Sequence, residues 1–458
     1  GPTILFAGRH SSIFLADMSG DGLPDLVQVT HSRVAYWPNL GHGQFGAQII
    51  MDSSPKIERP DRFHPARIRL ADLDGTGTAD LLYFDHRGIH IWPNQAGNSF
   101  GDHLLNECFP TVAALPSLSI VDFHGTGMST FVWAPRRAFP YDNALRHSSP
   151  FGTQKPYLLA TITNGMGLEA SFEHTPSTKL YLEDKAAGKP WATKLPFPVQ
   201  VLTKVTTVDH VAKTRLVTQY RYRHGFYDTH ERELRGFGYV EQTDAETFSV
   251  DTSTELDQPP VLTKTWFHTG AWIQNQSLEA AFAAERWTGD TSATAPLQSV
   301  LPTGLTAQEI QEAHRALKGS VLRQEVYGLD GSTSEANPYQ VTETSYDVRL
   351  LQPQAPALSP KRPKLHAVFQ LLPRETRQWS YDRVADDPRV TQWAAVDYDT
   401  TFRFVTKSVS VAYERRSAKR TAAESDAGLT TNSLQEQSVL HAVASHTTIA
   451  HANEVAIV

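Results

Sequence analysis

The 458-residue chain has a single cysteine, Cys108. That excludes an internal disulfide framework and a cysteine-rich zinc module. It leaves the compartment open, since a secreted protein need not use disulfides. No apolar run approaches the ~18 residues of a membrane-spanning helix. A basic excess is also missing. Acids outnumber bases, 49 to 42, for a net charge of −7, which argues against a nucleic-acid surface. No signal-peptide pattern precedes the first strand-like run, Ile4-Leu5-Phe6. Gly1-Pro2 has the form of a tag-cleavage scar, so an excised part of a longer chain is expected. No G-x-S-x-G elbow, P-loop or H-E-x-x-H is found.

What is present is enough apolar sequence to bury a core: 40% hydrophobic against 20% charged, outside the range of a disordered chain. The length allows two to four domains. The first third contains a repeat. Residues 16–25 read ADMSGDGLPD and residues 71–80 read ADLDGTGTAD. The same offset carries Trp37-Pro38-Asn39 onto Trp92-Pro93-Asn94, and Phe45-Gly46 onto Phe100-Gly101. A weaker third copy, VDFHGTGMST, occupies 121–130. Each loop precedes a β-type run: Leu26–Val29, Leu81–Phe84 and Phe131–Trp133. Further short runs end at the tryptophans, Val34–Trp37 and Ile89–Trp92. Several short strands per repeat with glycine turns predict β-propeller blades, of which two and a half are visible.

The loops carry oxygen ligands at alternate positions, the pattern by which a short loop surrounds a hard cation such as calcium. Copy one offers Asp17, Ser19, Asp21 and Asp25, with the Leu23 carbonyl; copy two offers Asp72, Asp74, Thr76 and Asp80, with the Thr78 carbonyl. The ligand charge count places calcium first at copy one. Copy three has Thr130 in place of the closing acid and His124 in place of an oxygen ligand, so no tight site is expected there. The same residues also suit a metal-free turn in which aspartates cap backbone N–H groups. Either role is structural.

The D-x-x-G-D/T-G-x-x-D loop, the following strand and the later F-G resemble FG-GAP/VCBS repeats, which form propellers as in integrin α heads.

From residue 157 the pattern changes to longer strands: Tyr157–Ile162, Leu168–His174 after an Asn164-Gly165 turn, Val199–Val208, Arg215–Arg223, Tyr239–Thr243, Val261–Phe267, Val321–Tyr327, Gln340–Tyr346 and Val405–Tyr413. Two helices are predicted, Ser277–Trp287 and Thr306–Leu317. The second opens on a Thr306-x-x-Glu309 capping box and buries Ile310, Ala313, His314 and Leu317. Stretches 291–305, 352–364 and 417–433 read as surface loops. Tyr-Asp pairs recur irregularly at 141, 227, 346, 381 and 398.

LPFPVQVLTKVTTVD (195–209), YRYRHGFYDTHERELRGFGYVE (220–241) and PPVLTKTWFHTGA (259–271) follow the repeats in order, with ALKGSVLRQEVYGLDGS (316–332) and SVSVAYERR (408–416) beyond them. Together they closely resemble the middle region of the B subunit of insecticidal Tc toxin complexes, the TcdB/TcaC-type, SpvB-related proteins. The resemblance implies a mainly β fold: FG-GAP blades over 1–150, an incomplete set, then over 151–458 an Rhs/YD-like antiparallel β-sheet shell segment with few short helices. It implies a non-enzymatic, secreted component whose propeller docks onto the pentameric A translocator and whose shell helps enclose the toxic C-terminal part of the C subunit. Neither nucleic-acid binding nor direct membrane insertion is expected. SpvB-related chains are often fused to ADP-ribosyltransferases, and no such catalytic region is found here. The alternative from another class is a calcium-dependent adhesion or receptor-binding propeller. A third reading is a hydrolase using Asp228, Glu231 and Glu233, for which cross-strand ion pairs with Arg232 and Arg235 are the competing account.

Other motifs favour plain readings. Gly41-His42-Gly43-Gln44-Phe45-Gly46 matches a dinucleotide fingerprint but no helical pattern follows it. His86 and His90 flank a turn, and His441, His446 and His451 lack a carboxylate partner, so no zinc is expected. Lys361-Arg362-Pro363-Lys364 reads as a solvated loop and Cys108 as a buried thiol.

Overall fold

The computed structural model describes residues 7–8, 10–107, 112–134, 145–247, 259–273, 276–355, 366–416 and 436–448. Cys108, the Tyr141-Asp142 pair, the basic run 361–364, the loop 417–433 and His451 lie outside them. The chain divides into two compact units: Gly1–Leu158 with Phe197–Gln200, and Leu159–Pro196 with Val201–Val458.

Unit 1 contains three small antiparallel sheets. The first takes Ser11–Ala16 (β1), Asp25–Thr30 (β2), Val34–Trp37 (β3) and Ile49–Ile50 (β4), in that order. The second takes Ile68–Ala71 (β5), Asp80–Phe84 (β6) and Ile89–Trp92 (β7). A small hairpin, Asn94–Gln95 (β8) and Ser99–Phe100 (β9), follows, and then Leu104–Asn106 (β10), which completes the sheet on β7. The third takes Ser119–Val121 (β11), Thr130–Trp133 (β12) and Arg146–Ser148 (β13). The third blade is therefore a sheet in its own right rather than half of one.

Burial explains the sequence of these strands. Alternate residues of β2, Asp25, Val27 and Val29, are buried, whereas all five residues of β6 are. Leu81 and Tyr83 join one core with Val27, Val29 and Tyr36 of the first blade. Leu82 and Phe84 join another with Phe131 and Trp133 of the third. An unbroken apolar run is what a strand needs when neighbours cover both its faces. Gly97, at φ +76°, lets the chain pass where a Cβ would meet the Tyr36 hydroxyl at 2.6 Å.

Unit 2 is built on one twelve-stranded sheet. It begins with Thr161–Thr163 (β14), Leu168–Pro176 (β15), the helix Ser177–Ala186 (α1), Gln200–Asp209 (β16), Thr214–Asp228 (β17), Glu233–Thr247 (β18) and Val261–Phe267 (β19). A crossing segment follows, with the short hairpin Trp272–Ile273 (β20) and Gln276–Ser277 (β21), then Glu279–Ala283 (α2) and Ala307–Ala316 (α3). The sheet resumes with Val321–Gly328 (β22), Gln340–Gln352 (β23), Val368–Ser380 (β24), Arg389–Tyr398 (β25), Val405–Ala412 (β26) and His441–His446 (β27). Apart from the crossing segment, neighbours in sequence are neighbours in the sheet.

Two expectations need correction. The strand read at Tyr157–Ile162 forms only at Thr161–Thr163, and the helix read at Ser277–Trp287 shrinks to Glu279–Ala283. The stretch 291–305 is an exposed loop, as expected, and it is tied to the sheet at several points. Arg377 Nη1 donates to the Thr294 hydroxyl at 2.6 Å, and the Leu297 N–H donates to Glu343 at 3.2 Å. Val300 exchanges backbone bonds with Tyr346 and Val348 at 2.8 and 2.9 Å. These few bonds anchor the loop while most of its residues stay exposed. The Thr306 capping box forms as read, and Ala313 and Leu317 pack against Val348, Phe369 and Leu371.

Candidate functional site

In the first loop, Asp17 accepts the Gly20 and Gly22 N–H groups, each at 2.7 Å. Both glycines have φ above +80°, which turns their amides inward. Asp21 caps the Leu23 N–H at 2.8 Å. Asp25, fully buried, accepts Met18 N–H at 3.0 Å and Asn39 N–H at 2.8 Å. The Ser19 hydroxyl is enclosed and has no partner.

The second loop repeats this scaffold and adds convergence. Asp72 accepts N–H groups of Gly75, Thr76 and Gly77 at 2.7, 3.1 and 2.9 Å. Asp74 caps Thr76 N–H at 3.1 Å, and the Thr76 and Thr78 hydroxyls lie 3.1 Å apart. Thr78 also donates to the Asn94 carbonyl at 3.4 Å. Asp80 accepts Leu73 N–H at 3.1 Å and Asn94 N–H at 2.8 Å. Carboxylate oxygens of Asp72, Asp74 and Asp80 all lie within 4.8 Å of one another, the one such group of three among the described residues. Burial pushes the Asp80 carboxyl up to about 7 despite its two N–H partners, and Asp74 and Asp72 add to the rise. Like charges held close in a buried site are what a divalent cation relieves. The first loop has the acids its sequence promised, but Asp21 caps its own turn and the three carboxylates do not gather. The donor set thus fits a cation at copy two rather than at copy one.

In the third loop Asp122 accepts Thr126 and Gly127 N–H groups at 2.9 and 2.8 Å. Thr130, in the closing position, lies 3.1 Å from the Ser149 hydroxyl, and His124 packs edge-on against His147. The turn survives without a ligand set.

Sequence reading missed the role of the W-P-N asparagines. Asn94 Nδ2 donates to the Met18 and Ala79 carbonyls, both at 3.0 Å, so it ties the second blade to the first. Asn39 makes the shorter-range version, donating to the Pro24 carbonyl at 2.9 Å. Their recurrence at the repeat offset was the available signal.

The acidic stretch of unit 2 resolves into ion pairs. Asp228 meets Arg235 Nη2 at 2.5 Å, and Glu231 meets Arg315 at 3.4 Å. Glu233 meets Lys318 at 2.7 Å and Arg315 at 3.3 Å, and the Lys318 hydrogen bond heads the causes that hold its carboxyl below the usual range. Two of these three partners, Arg315 and Lys318, come from α3 and the turn after it rather than from a facing strand. Gly41–Gly46 forms a tight turn, with Gly46 N–H bonded to the Pro38 carbonyl at 2.7 Å, and no helix follows. His90 is held by Asp85 at 3.1 Å and by His103 at 2.8 Å, while His86 is exposed.

Comparison with known proteins gives consistent matches. The family described as insecticide toxin TcdB middle/N-terminal region matches residues 94–270, and its middle/C-terminal counterpart matches 312–457. An FG-GAP-like repeat matches 17–83. Among solved structures, the TcdB2-TccC3-Cdc42 crystal structure is similar at 33% identity and a TM-score of 0.77, covering 90% of this chain and 19% of that one. The Photorhabdus luminescens Tc holotoxin pore matches at 32% and 0.77, again with 90% and 19% coverage. TcdB2-TccC3 matches at 32% and 0.76, with 89% and 19% coverage. No curated protein matches the chain. The chain spans about one fifth of the length of the chains it resembles. With FG-GAP blades in unit 1 and the twelve-stranded sheet in unit 2, it belongs to the TcdB insecticide-toxin middle-region family.

Proposed function

We propose that the chain is a non-enzymatic scaffold and docking segment of a Tc-toxin B component, working outside the producing cell. In this reading the blades of unit 1 dock onto the A translocator. The long sheet of unit 2 contributes to the wall enclosing the toxic C-terminal part of the C subunit. The observation that carries it is the similarity to a chain of the TcdB2-TccC3 assembly over 90% of this sequence. The ion-paired acidic stretch supports the non-enzymatic part, because its carboxylates are committed to arginine and lysine. The test is co-purification with separately expressed A and C components. Retention by either supports the reading; retention by neither overturns it and returns the adhesion propeller as the better account.

A structural cation, calcium by its oxygen donors, is proposed for the second loop, held by Asp72, Asp74 and Asp80, with Thr76 and the Thr78 carbonyl as the further donors the loop offers. It would add charge neutralisation to a turn that hydrogen bonds already shape.

A further inference from the structure

Arg286 follows α2 and lines a cavity of about 230 Å3 between the crossing segment and the sheet. Trp287, Arg323, Glu343, Trp379 and Tyr381 line it too. The other charges here are matched in direct contact. Arg323 donates to Glu325 at 2.7 Å and to Glu343 at 2.6 Å. Glu325 also accepts the Trp287 N–H at 3.0 Å and the Tyr327 hydroxyl at 2.7 Å. Asp290 accepts two Arg416 donors at 2.9 and 2.8 Å and the Tyr381 hydroxyl at 2.9 Å.

Arg286 is different. Its Nε is enclosed and has no hydrogen-bond partner, and among the described residues its side chain forms no ion pair. Burial lowers the pKa of the guanidinium, and Arg323 acts the same way; Glu343, Glu279 and Glu325 oppose this only through space. The residue is half-buried, and at its enclosed Nε the donor is withdrawn from water with no acceptor supplied in contact.

We propose that this cavity binds a small monocarboxylate carried on a flat apolar body, with Arg286 as its counter-ion. Size, walls and charge select that class. An apolar cavity of about 150 Å3 accommodates benzene, so this one has room for a ring and a carboxylate. The indoles of Trp287 and Trp379 offer surfaces for stacking or edge contact with a ring. A guanidinium matches a carboxylate in a bidentate fork. Glu343 and Asp290 line the same cavity, so a dianion such as phosphate meets about twice the repulsion of a monoanion, with no ring to offset it.

The probes are benzoate, acetate and phosphate, titrated against the whole chain by calorimetry and saturation-transfer NMR. Benzoate is expected to bind about tenfold or more tighter than acetate, from burial of the ring, and phosphate not at all. Arg286→Met should abolish benzoate binding and melt at or above the parent temperature, since an unmatched charge gives way to an apolar chain of similar length. Arg323→Met should melt well below the parent, because it strands Glu325 and Glu343. Ala293→Trp, which narrows the cavity with Arg286 intact, should also abolish binding. The proposal is overturned if benzoate fails to bind at millimolar concentration or binds Arg286→Met unchanged. It is equally overturned if Arg286→Met melts far below the parent or fails to fold, because the arginine would then be bonded within the fold.

Discussion

Asp80 accepts a 2.8 Å hydrogen bond from the backbone N–H of Asn94, and the first blade repeats the bond at 2.8 Å between Asp25 and Asn39. The closing acid of each loop and the asparagine of each W-P-N motif are thus one device. The acid's second oxygen reaches back to the start of its own loop, Leu73 in one case and Met18 in the other. A ligand-type aspartate is also the clamp that fixes loop to strand.

Asp80→Ala should therefore destabilise unit 1 with or without a cation. It leaves two buried N–H groups unmet, at about 1–3 kcal/mol each. Asn94→Ala should cost a comparable amount by freeing the Met18 and Ala79 carbonyls. Urea melts of the variants check both; a change below about 0.5 kcal/mol for Asp80→Ala would contradict the clamp.

Calcium can be separated from the clamp through Asp74, which joins the acidic group and caps its turn at Thr76 but takes no part in the bond to the W-P-N asparagine. The parent should melt higher in calcium than in chelator, because a ligand bound only by the folded state stabilises it by mass action. Asp74→Asn should shrink that difference, while Asp21→Asn in the first loop should leave it unchanged. Identical melts in both buffers, with no metal by elemental analysis, would leave a metal-free turn.

The two units should respond oppositely to mild acid in chelator. Folded Asp80 titrates near 7 against about 3.9 unfolded, so the folded state holds the extra proton between those values. Its contribution to stability is full below the lower value and is lost as pH rises through 7. His268 and His314 of unit 2 are pushed down, to about 3 and about 4, chiefly by burial, from about 6.5. The unfolded state now holds the extra protons, so their contribution is present above 6.5 and drains away as pH falls toward 4 and 3. Hydrogen exchange corrected for intrinsic rates at pH 7.5 and 5 should show protection rising in β6 and falling around α3. Asp80→Asn should flatten the first response. Parallel trends in both units would contradict the assignment.

How far the sequence could be read depended on whether local pattern and tertiary need agreed. The blade strands and the capping box at Thr306 and Glu309 were legible because local chemistry alone specifies them. β24 was not: Pro373 sits inside Val368–Ser380, and proline usually rules out a strand interior. It is tolerated opposite Tyr346, where the β23–β24 register shifts between Ser345 and Tyr346. α1 was passed over because it has no apolar stripe. Of its residues only Ser177, Leu180 and Asp184 are buried, and Asp184 is anchored by Arg221 at 2.6 Å and by the Trp191 indole N–H at 2.7 Å. Among the loop acids, sequence counted charges. Both Asp74 and Asp21 cap their own turns, and the structure distinguished them by whether the carboxylate gathers with its neighbours: Asp74 does and Asp21 does not.

The crossing segment should behave as a clasp on the sheet. Asp290 takes Arg416 and Tyr381 together, and the Asp290 carboxyl is held below its usual range by them despite burial. Asp290→Ala removes the shared acceptor of a partly exposed guanidinium and a buried phenol, so a loss of about 1–3 kcal/mol is expected, with exchange accelerated first in 291–300. Uniform acceleration across unit 2 would argue against a separate clasp.

The sheet edges give the last prediction. Among the described residues no strand pairs with the outer edge of β14 or of β27. All residues of both strands are exposed, Val443 at 63%. Unpaired N–H and C=O rows on an open edge recruit further strands unless charge, proline or a bulge blocks them. β27, HAVASH, has neither proline nor lysine, and no bulge interrupts its pairing with β26. On β26 next to it, Lys407 is the single lysine, and it is engaged with Asp397 at 3.2 Å. Little therefore blunts the β27 edge. The chain alone should self-associate as concentration rises. Sedimentation velocity over a hundredfold concentration range reads this directly. Val443→Lys should weaken the association by placing a charge on the exposed strand. A parent that stays monomeric throughout would mean that the edge is covered.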